Sequence, residues 1–200
     1  MSKRDPRSAP DTTPVSSDGD LAEAGSSDRW RRAWQRRRVI FAPLAVYLVA
    51  LGLVQVFGGL AEPVGGFPER CPEASQNCTR IADQPFRGDG RDGVRLNVSS
   101  GEARAAVLDW VENTARTEVT HDGNAELEVL ARTRWMRYPD DMYVRFSCEG
   151  EQTLVEIHSE SRLGAGDLGV NDGRVLSLVT HIESYDYSTA GEVCTPLPMA

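Results

Sequence analysis

Two groups of side chains have the types and spacing to do chemistry. The first is Asp140, Asp141, Arg162, Asp167, Asn171 and Arg174, with Gly164 and Gly169 between them. Three aspartates and an asparagine are oxygen donors of the kind calcium takes outside cells, although their spacing is not that of an EF-hand loop. A helix starting near 171, flanked by two arginines, could instead hold a phosphate or carboxylate. The architectural alternative needs no ligand. Arg162 or Arg174 would grip Asp140, Asp141 or Asp167 in a two-pronged ion pair. Asp167 or Asn171 would accept from the free N–H groups of the helix, Asn171 or Asp172 standing at its start. Gly164 and Gly169 would supply positive φ at the turn. These eight residues form the candidate ligand-binding set, with architecture as the default role.

The second group is Glu156, His158 and Glu160, which alternate along one strand-like run. One face carrying all three could bind a metal or move protons. Arg132, Arg134 and Arg145 lie on neighbouring strand-like runs, and ion pairing across a solvated sheet face accounts for the same pattern. Cys71, Cys78, Cys148 and Cys194 permit three disulfide pairings. Cys71–Cys78 would close a short loop, and Cys148–Cys194 would tie the tail to a strand. Their spacing lacks the close-set pairs of zinc motifs. Residues 164–169 spell G-x-G-x-x-G, the dinucleotide fingerprint. The run before it alternates, whereas a parallel core strand is apolar on both faces, so that reading fails. No nucleophile elbow, H-E-x-x-H or phosphate loop is present. No cofactor, metal site or catalytic group is therefore expected. An envelope hydrolase using Asp140, Asp141 or His158 is the alternative.

Ser159-Glu160-Ser161-Arg162-Leu163-Gly164-Ala165-Gly166-Asp167-Leu168-Gly169-Val170-Asn171, followed by Arg174, resembles a known signature. It is that of an uncharacterised bacterial and chloroplast family, domain of unknown function 1499. The family pattern is S-x-S-R-x-G-x-x-D-x-G-x-N with an arginine three later. Cys71-Pro72-Glu73-Ala74-Ser75-Gln76-Asn77-Cys78 is similar to the family's opening element, with Gln76 where proline is usual, and Asp140-Asp141 match its paired acids. The resemblance covers about 71–184. It implies a shared fold and no established activity.

The elements that position these residues follow from the apolar pattern. Residues 39–57 carry no charge, and about 20 apolar residues at ~1.5 Å each cross a bilayer as a helix. Arg29, Arg31, Arg32, Arg36, Arg37 and Arg38 precede this stretch, which places the N-terminus in the cytoplasm and the C-terminal part outside. Residues 1–38 carry a net charge of +3 and residues 60–200 a net of −11, so the outer part would repel nucleic acid. Residues 1–38 read as a disordered basic tail, 58–70 as a Gly/Pro linker, 71–184 as the folded ectodomain and 185–200 as an irregular tail. Residues 71–95 read as a loop held by local links.

Ser99 with Glu102 three later predicts a helix over about 100–115 with Trp110 on its apolar stripe. Four strand-like runs follow, the second carrying Leu127, Val129, Ala131, Thr133 and Trp135 on one side. Both tryptophans read as core. A last helix carries Val175, Leu178, Val179 and Ile182. The expected fold is α+β: a four-stranded antiparallel sheet, one face apolar and one charged, with two helices on the apolar face. The expected protein is single-pass and non-enzymatic, sits in the cell membrane, and binds a small apolar or anionic ligand or a membrane protein partner. A structural subunit of a membrane complex is a further alternative.

Overall fold

The computed structural model describes residues 18–63, 65–73, 75–164, 166–188, 191 and 193–197. The chain divides into two compact units at Leu48/Val49. The expected disordered tail lies outside the described residues over 1–17; from Asp18 the chain is helical. The first helix, α1, runs Asp18–Leu60 with Pro43 inside it. Its Arg37–Leu60 stretch is long and apolar enough to cross a membrane. Val39, Leu48 and Phe57 are each more than half exposed. A helix of a soluble core would bury such side chains; one facing lipid would not.

The second unit is a mixed α/β body with a six-stranded antiparallel sheet, not the four strands the sequence predicts. Its strands are β1 (Cys78–Ile81), β2 (Val94–Leu96), β3 (Thr117–Asp122), β4 (Glu126–Arg132), β5 (Pro139–Glu149) and β6 (Gln152–Ser161). Strands β3 to β6 form the expected meander. The two additional strands come from the segment that reads as loop. They share one edge of β6: β1 pairs with 157–160 and β2 with 153–155. All four β1 residues are buried, including Thr79 and Arg80. A buried Thr-Arg pair erases the alternation by which a strand is recognised.

Helix α2 (Ser100–Asn113) begins as predicted, the Ser99 hydroxyl accepting from the Glu102 N–H at 3.3 Å. Helix α3 (Val170–Ser184) closes the domain. Both lie on one sheet face. Ala103, Val107 and Trp110 of α2 and Val175, Leu178 and Ile182 of α3 pack on Leu127, Val129, Met142, Val144, Val155 and Ile157. Trp110 is core as expected, at 4% exposed; Trp135 is not, at 70%. β4 stops at Arg132, so Trp135 falls in a turn where alternation no longer fixes its face.

The other sheet face is less open than the sequence predicts. Phe67, from the expected linker, packs with Ala82 on Tyr143, and His158 beneath is fully buried. The Phe67 ring lies between two guanidinium groups, Arg80 at 5.0 Å and Arg145 at 4.3 Å. Such cation–ring contacts make an isolated phenylalanine a cover for a charged face. Arg80 itself is buried and its guanidinium donates to Asp83 and to the Pro68 carbonyl. Arg145 meets Glu126 at 2.8 Å across the strands, as surface pairing predicts. Within this unit the last turns of α1 also reach the sheet. Gln55 Nε2 donates to the Arg137 carbonyl at 3.2 Å. A Cβ on Gly58 would lie 2.6 Å from Pro139 Cγ, so that approach requires glycine.

Two disulfides staple the domain, Cys71–Cys78 and Cys148–Cys194. Such bonds belong to an oxidising, extracellular-type compartment. They close loops of 7 and 46 residues, for which the chain-entropy relation gives about 2 and about 4 kcal/mol. Replacing Cys148 and Cys194 by serine should therefore lower the denaturation midpoint more than replacing Cys71 and Cys78, as urea titrations of the two double variants would measure.

Candidate functional site

The eight predicted site residues gather where β5 begins, β6 ends and α3 starts, but the sheet divides them. Neighbouring residues of a strand point to opposite faces. Asp140 shares the face of Met142 and Val144, toward the helices; Asp141 shares that of Tyr143, away from them. Two ion pairs result, one per face. Arg162 holds Asp141 with two bonds, Nε and Nη2 each 2.7 Å from a carboxylate oxygen. Arg174 reaches Asp140 at 2.8 Å. The Asp140 side chain is 1% exposed and that of Asp141 8%. The two acids thus cannot act as a catalytic pair on one substrate.

Asn171 is the centre of the helix-facing half. It is fully buried. Its Oδ1 accepts from the Ser159 hydroxyl at 2.8 Å and from Arg174 Nη1 at 2.7 Å. Its Nδ2 donates to the Asn77 carbonyl at 2.7 Å and to the Ser161 hydroxyl at 3.0 Å. That hydroxyl in turn donates to Asp140. Every polar group of the amide is used, as burial demands. Asn171 is therefore not the helix cap, and neither is Asp172, which accepts from the Gly88 N–H at 2.9 Å. Asp167 is the cap: its carboxylate accepts from the N–H groups of Gly169 at 3.0 Å and Asn171 at 2.7 Å. An acidic side chain standing before the helix satisfies two orphan donors and faces the positive end of the helix dipole. Gly164 and Gly169 have φ of +91° and +81°, the left-handed region that the sequence assigned them.

The charges are tuned by this wiring. Burial pushes the Asp140 carboxyl above its ordinary range, against the lowering by Arg174 and the Ser161 hydroxyl. Burial also pushes Asp167 upward, but the amides of Asn171 and Gly169 and the Arg87 guanidinium outweigh it and hold that carboxyl below its ordinary value. The bond to Asp141 raises Arg162 further.

Several participants are not evident from the sequence. Arg87 Nη1 lies 3.1 Å from Asp167 and its Nη2 donates to the Gln76 carbonyl at 2.7 Å. Asn77 Nδ2 donates to the Gly164 carbonyl at 2.6 Å, so the C-x6-C element is tied to the second motif. The available signal for Asn77 was its place inside the C-x6-C element, next to Cys78. For Arg87 there was none. His158 lies on the opposite face with Glu160, 3.3 Å away; it is remote from Asp140.

Beside the helix-facing half is a cavity of about 680 Å³, within the ~300–1,000 Å³ usual for small-molecule sites. Trp110, Ala131, Met136, Leu163 and Val170 line it, and Asp140, Asp167 and Arg174 stand in its wall. Trp135 and Leu168 border it from two different loops. Leu168 is fully exposed and has a φ of +55°. A leucine in that conformation is strained. The residues of the cavity wall offer oxygen and nitrogen donors already spent on one another.

A family model described as "Protein of unknown function (DUF1499)" matches residues 69–182, more than half of the chain. The protein belongs to that family, as the two motifs imply. No curated protein and no solved structure matches it.

Two measurements check the wiring. Arg162→Ala leaves Asp141 buried without its partner and should cost about 3 kcal/mol of unfolding free energy, read from urea titrations. Asp167→Asn keeps a capping side chain but removes the charge that faces the helix dipole and Arg87, and should cost up to about 1 kcal/mol at neutral pH. The Asp167 carboxyl is depressed in the fold, so its stabilisation is present above the unfolded value and lost as pH falls through the lowered one. The gap in melting temperature between wild type and Asp167→Asn should accordingly narrow in acid.

Proposed function

We propose that this is a membrane-anchored envelope protein whose C-terminal domain binds, rather than transforms, an apolar molecule carrying an anionic end. The observation behind this reading is the cavity itself. Its apolar walls suit a hydrocarbon or ring system, and the exposed Arg116 and Arg134 in its lining suit an acidic head group. Burying apolar surface of such a ligand yields ~25 cal/mol per Å². The two exposed apolar side chains at the rim, Trp135 and Leu168, make sense as contacts for a ligand or for the lipid that delivers it. The anchor supports the same reading. The span ends at Leu60, and Gly58 approaches Pro139 and Leu163, next to the cavity lining. With the Arg-rich segment in the cytoplasm, the disulfide-bearing domain stands outside.

Acid–base catalysis at Asp140, Asp141 or His158 fits less well. Each aspartate is held by an arginine, the two face opposite ways, and His158 lies on the sheet face away from the cavity, out of reach of anything bound there. A calcium site fits less well for the same reason: the carboxylates already have cationic or amide partners.

Native mass spectrometry of the full chain, released from mild detergent, should show a retained adduct of lipid-like mass. Trp135→Ala and Leu168→Asp, both on the surface, should leave stability within about 0.5 kcal/mol of wild type and weaken that retention. A bare mass for the wild type, or full retention in both variants, would rule this function out.

A further inference from the structure

The two disulfides sit in unlike surroundings. Cys148 and Cys194 have a serine hydroxyl and a carbonyl nearby: Ser100 Oγ lies 3.1 Å from Cys194 Sγ, and the Ser147 carbonyl lies 3.9 Å away. Neither group readily gives up a proton. Cys71–Cys78 is different. Cys71 is partly exposed and Cys78 is fully buried. The Nε2 of His158 lies 3.6 Å from Cys78 Sγ and 3.3 Å from a carboxylate oxygen of Glu160. Strand pairing makes this arrangement: Cys78 of β1 stands directly opposite Glu160 of β6, with His158 two residues along on the same face. The imidazole is fully buried, walled edge-on by Phe67 and Tyr143 at ring separations of 6.3 and 6.1 Å. Its Nδ1 and the Tyr143 hydroxyl have no hydrogen-bond partner among the described residues. A disulfide of purely mechanical use gains nothing from an ionisable ring sealed behind its inner sulfur, and burying such a group costs free energy.

We infer that Cys71–Cys78 is a redox-active disulfide that oxidises thiols, with Cys71 as the sulfur attacked and His158 as the group that receives the leaving sulfur. A thiolate of the substrate attacks Cys71 Sγ along the open side. A bond forms between the substrate sulfur and Cys71, and the Cys71–Cys78 bond breaks. Its electron pair leaves on Cys78 Sγ, where His158, entering the step protonated on both ring nitrogens, gives its Nε2 proton to the new thiolate and is left as the neutral imidazole with its proton on Nδ1. Glu160 holds the ring in place and balances the charge of an imidazolium. A second substrate thiolate then attacks the substrate sulfur of the mixed disulfide and expels Cys71. Two thiols become one disulfide, and the chain gains two cysteine thiols. The substrate class is a dithiol on another polypeptide in the same oxidising compartment. Exchange speeds up when the leaving sulfur is stabilised as a thiolate, and a positioned proton donor contributes roughly 10²–10⁴-fold in such transfers. This activity is independent of the cavity, which lies on the other face of the sheet.

The test uses the full chain in detergent micelles, with dithiothreitol as the probe and mass-spectrometric counting of alkylated cysteines over time. In the wild type, Cys71–Cys78 should open at least about tenfold faster than Cys148–Cys194 in the same molecules. His158→Gln should slow the opening of Cys71–Cys78 by about tenfold or more while the Cys148–Cys194 rate stays put. The direction matters, because a variant that merely loosened the fold would open faster. Oxidised glutathione offered to the Cys78→Ser variant should be captured on Cys71 as a mixed disulfide, releasing one reduced glutathione per chain. Equal opening rates for the two wild-type bonds would overturn the inference, even if His158→Gln failed to fold. So would an unchanged or faster rate at Cys71–Cys78 in a folded His158→Gln chain.

Discussion

The buried amide of Asn171 is the constraint on which the C-terminal domain depends. It stands in the first turn of α3, completely shielded from water, and makes four hydrogen bonds: to Asn77 just before β1, to two serines of β6 and to its own helix. An unsatisfied amide at such a depth costs a few kcal/mol, whereas a satisfied one fixes geometry. No other uncharged side chain can donate twice and accept twice in that plane; glutamine has the groups but places them one carbon further away. The helix can therefore lie at one height on the sheet, where Nδ2 meets the Asn77 carbonyl and Oδ1 meets the Ser159 hydroxyl. Arg174, one turn on, is oriented by the same oxygen before it reaches Asp140. The ion pair is the amide's dependant, since the amide aligns one of its partners.

This explains why two stretches distant in sequence read as one signature. The C-x6-C element and the S-x-S-R-x-G-x-x-D-x-G-x-N element meet at Asn77, whose carbonyl serves Asn171 and whose amide serves the Gly164 carbonyl. Gln76 also bridges to Gly166. Each motif is half of a joint. The glycines permit the turn, Asp167 stops the orphan amides of α3, and Arg87 reaches in from the segment after β1 to neutralise that aspartate. The candidate ligand set is thus chiefly a device for seating α3, and the cavity exists because α3 is seated at that height.

The sequence made the helices and the meander legible because their apolar residues recur at 3.6 or 2 positions. Leu178 and Ile182, or Met142 and Val144, could be placed without coordinates. Three features escaped for identifiable reasons. β1 buries Thr79 and Arg80 among its four residues, so its composition reads as loop. Trp135 continues the parity of β4 on paper, yet the strand ends three residues earlier and the ring stays at the surface. The opposite directions of Asp140 and Asp141 were implicit in the alternation of Met142 and Val144, but adjacency in sequence suggested a pair. His158 was read as solvated because its strand neighbours are charged; the cover comes from Phe67, in a stretch whose glycines and prolines look like a spacer.

That cover changes what the far face of the sheet can do. A solvated row of Glu156, His158 and Glu160 would be a surface of mutually screened charges, worth little to stability or chemistry. Phe67, wedged between the Arg80 and Arg145 guanidinium groups, converts the row into an interior. Within it a proton on His158 has few places to go: the Glu160 carboxylate or the Cys78 sulfur. Electrostatic interactions strengthen as water is removed, so the same imidazole that would be idle in solvent is coupled to a disulfide. The sheet therefore separates two environments. On one face apolar walls and ion pairs shape a cavity. On the other, a ring donated by the chain next to the anchor seals a sulfur, a base and an acid into one small volume.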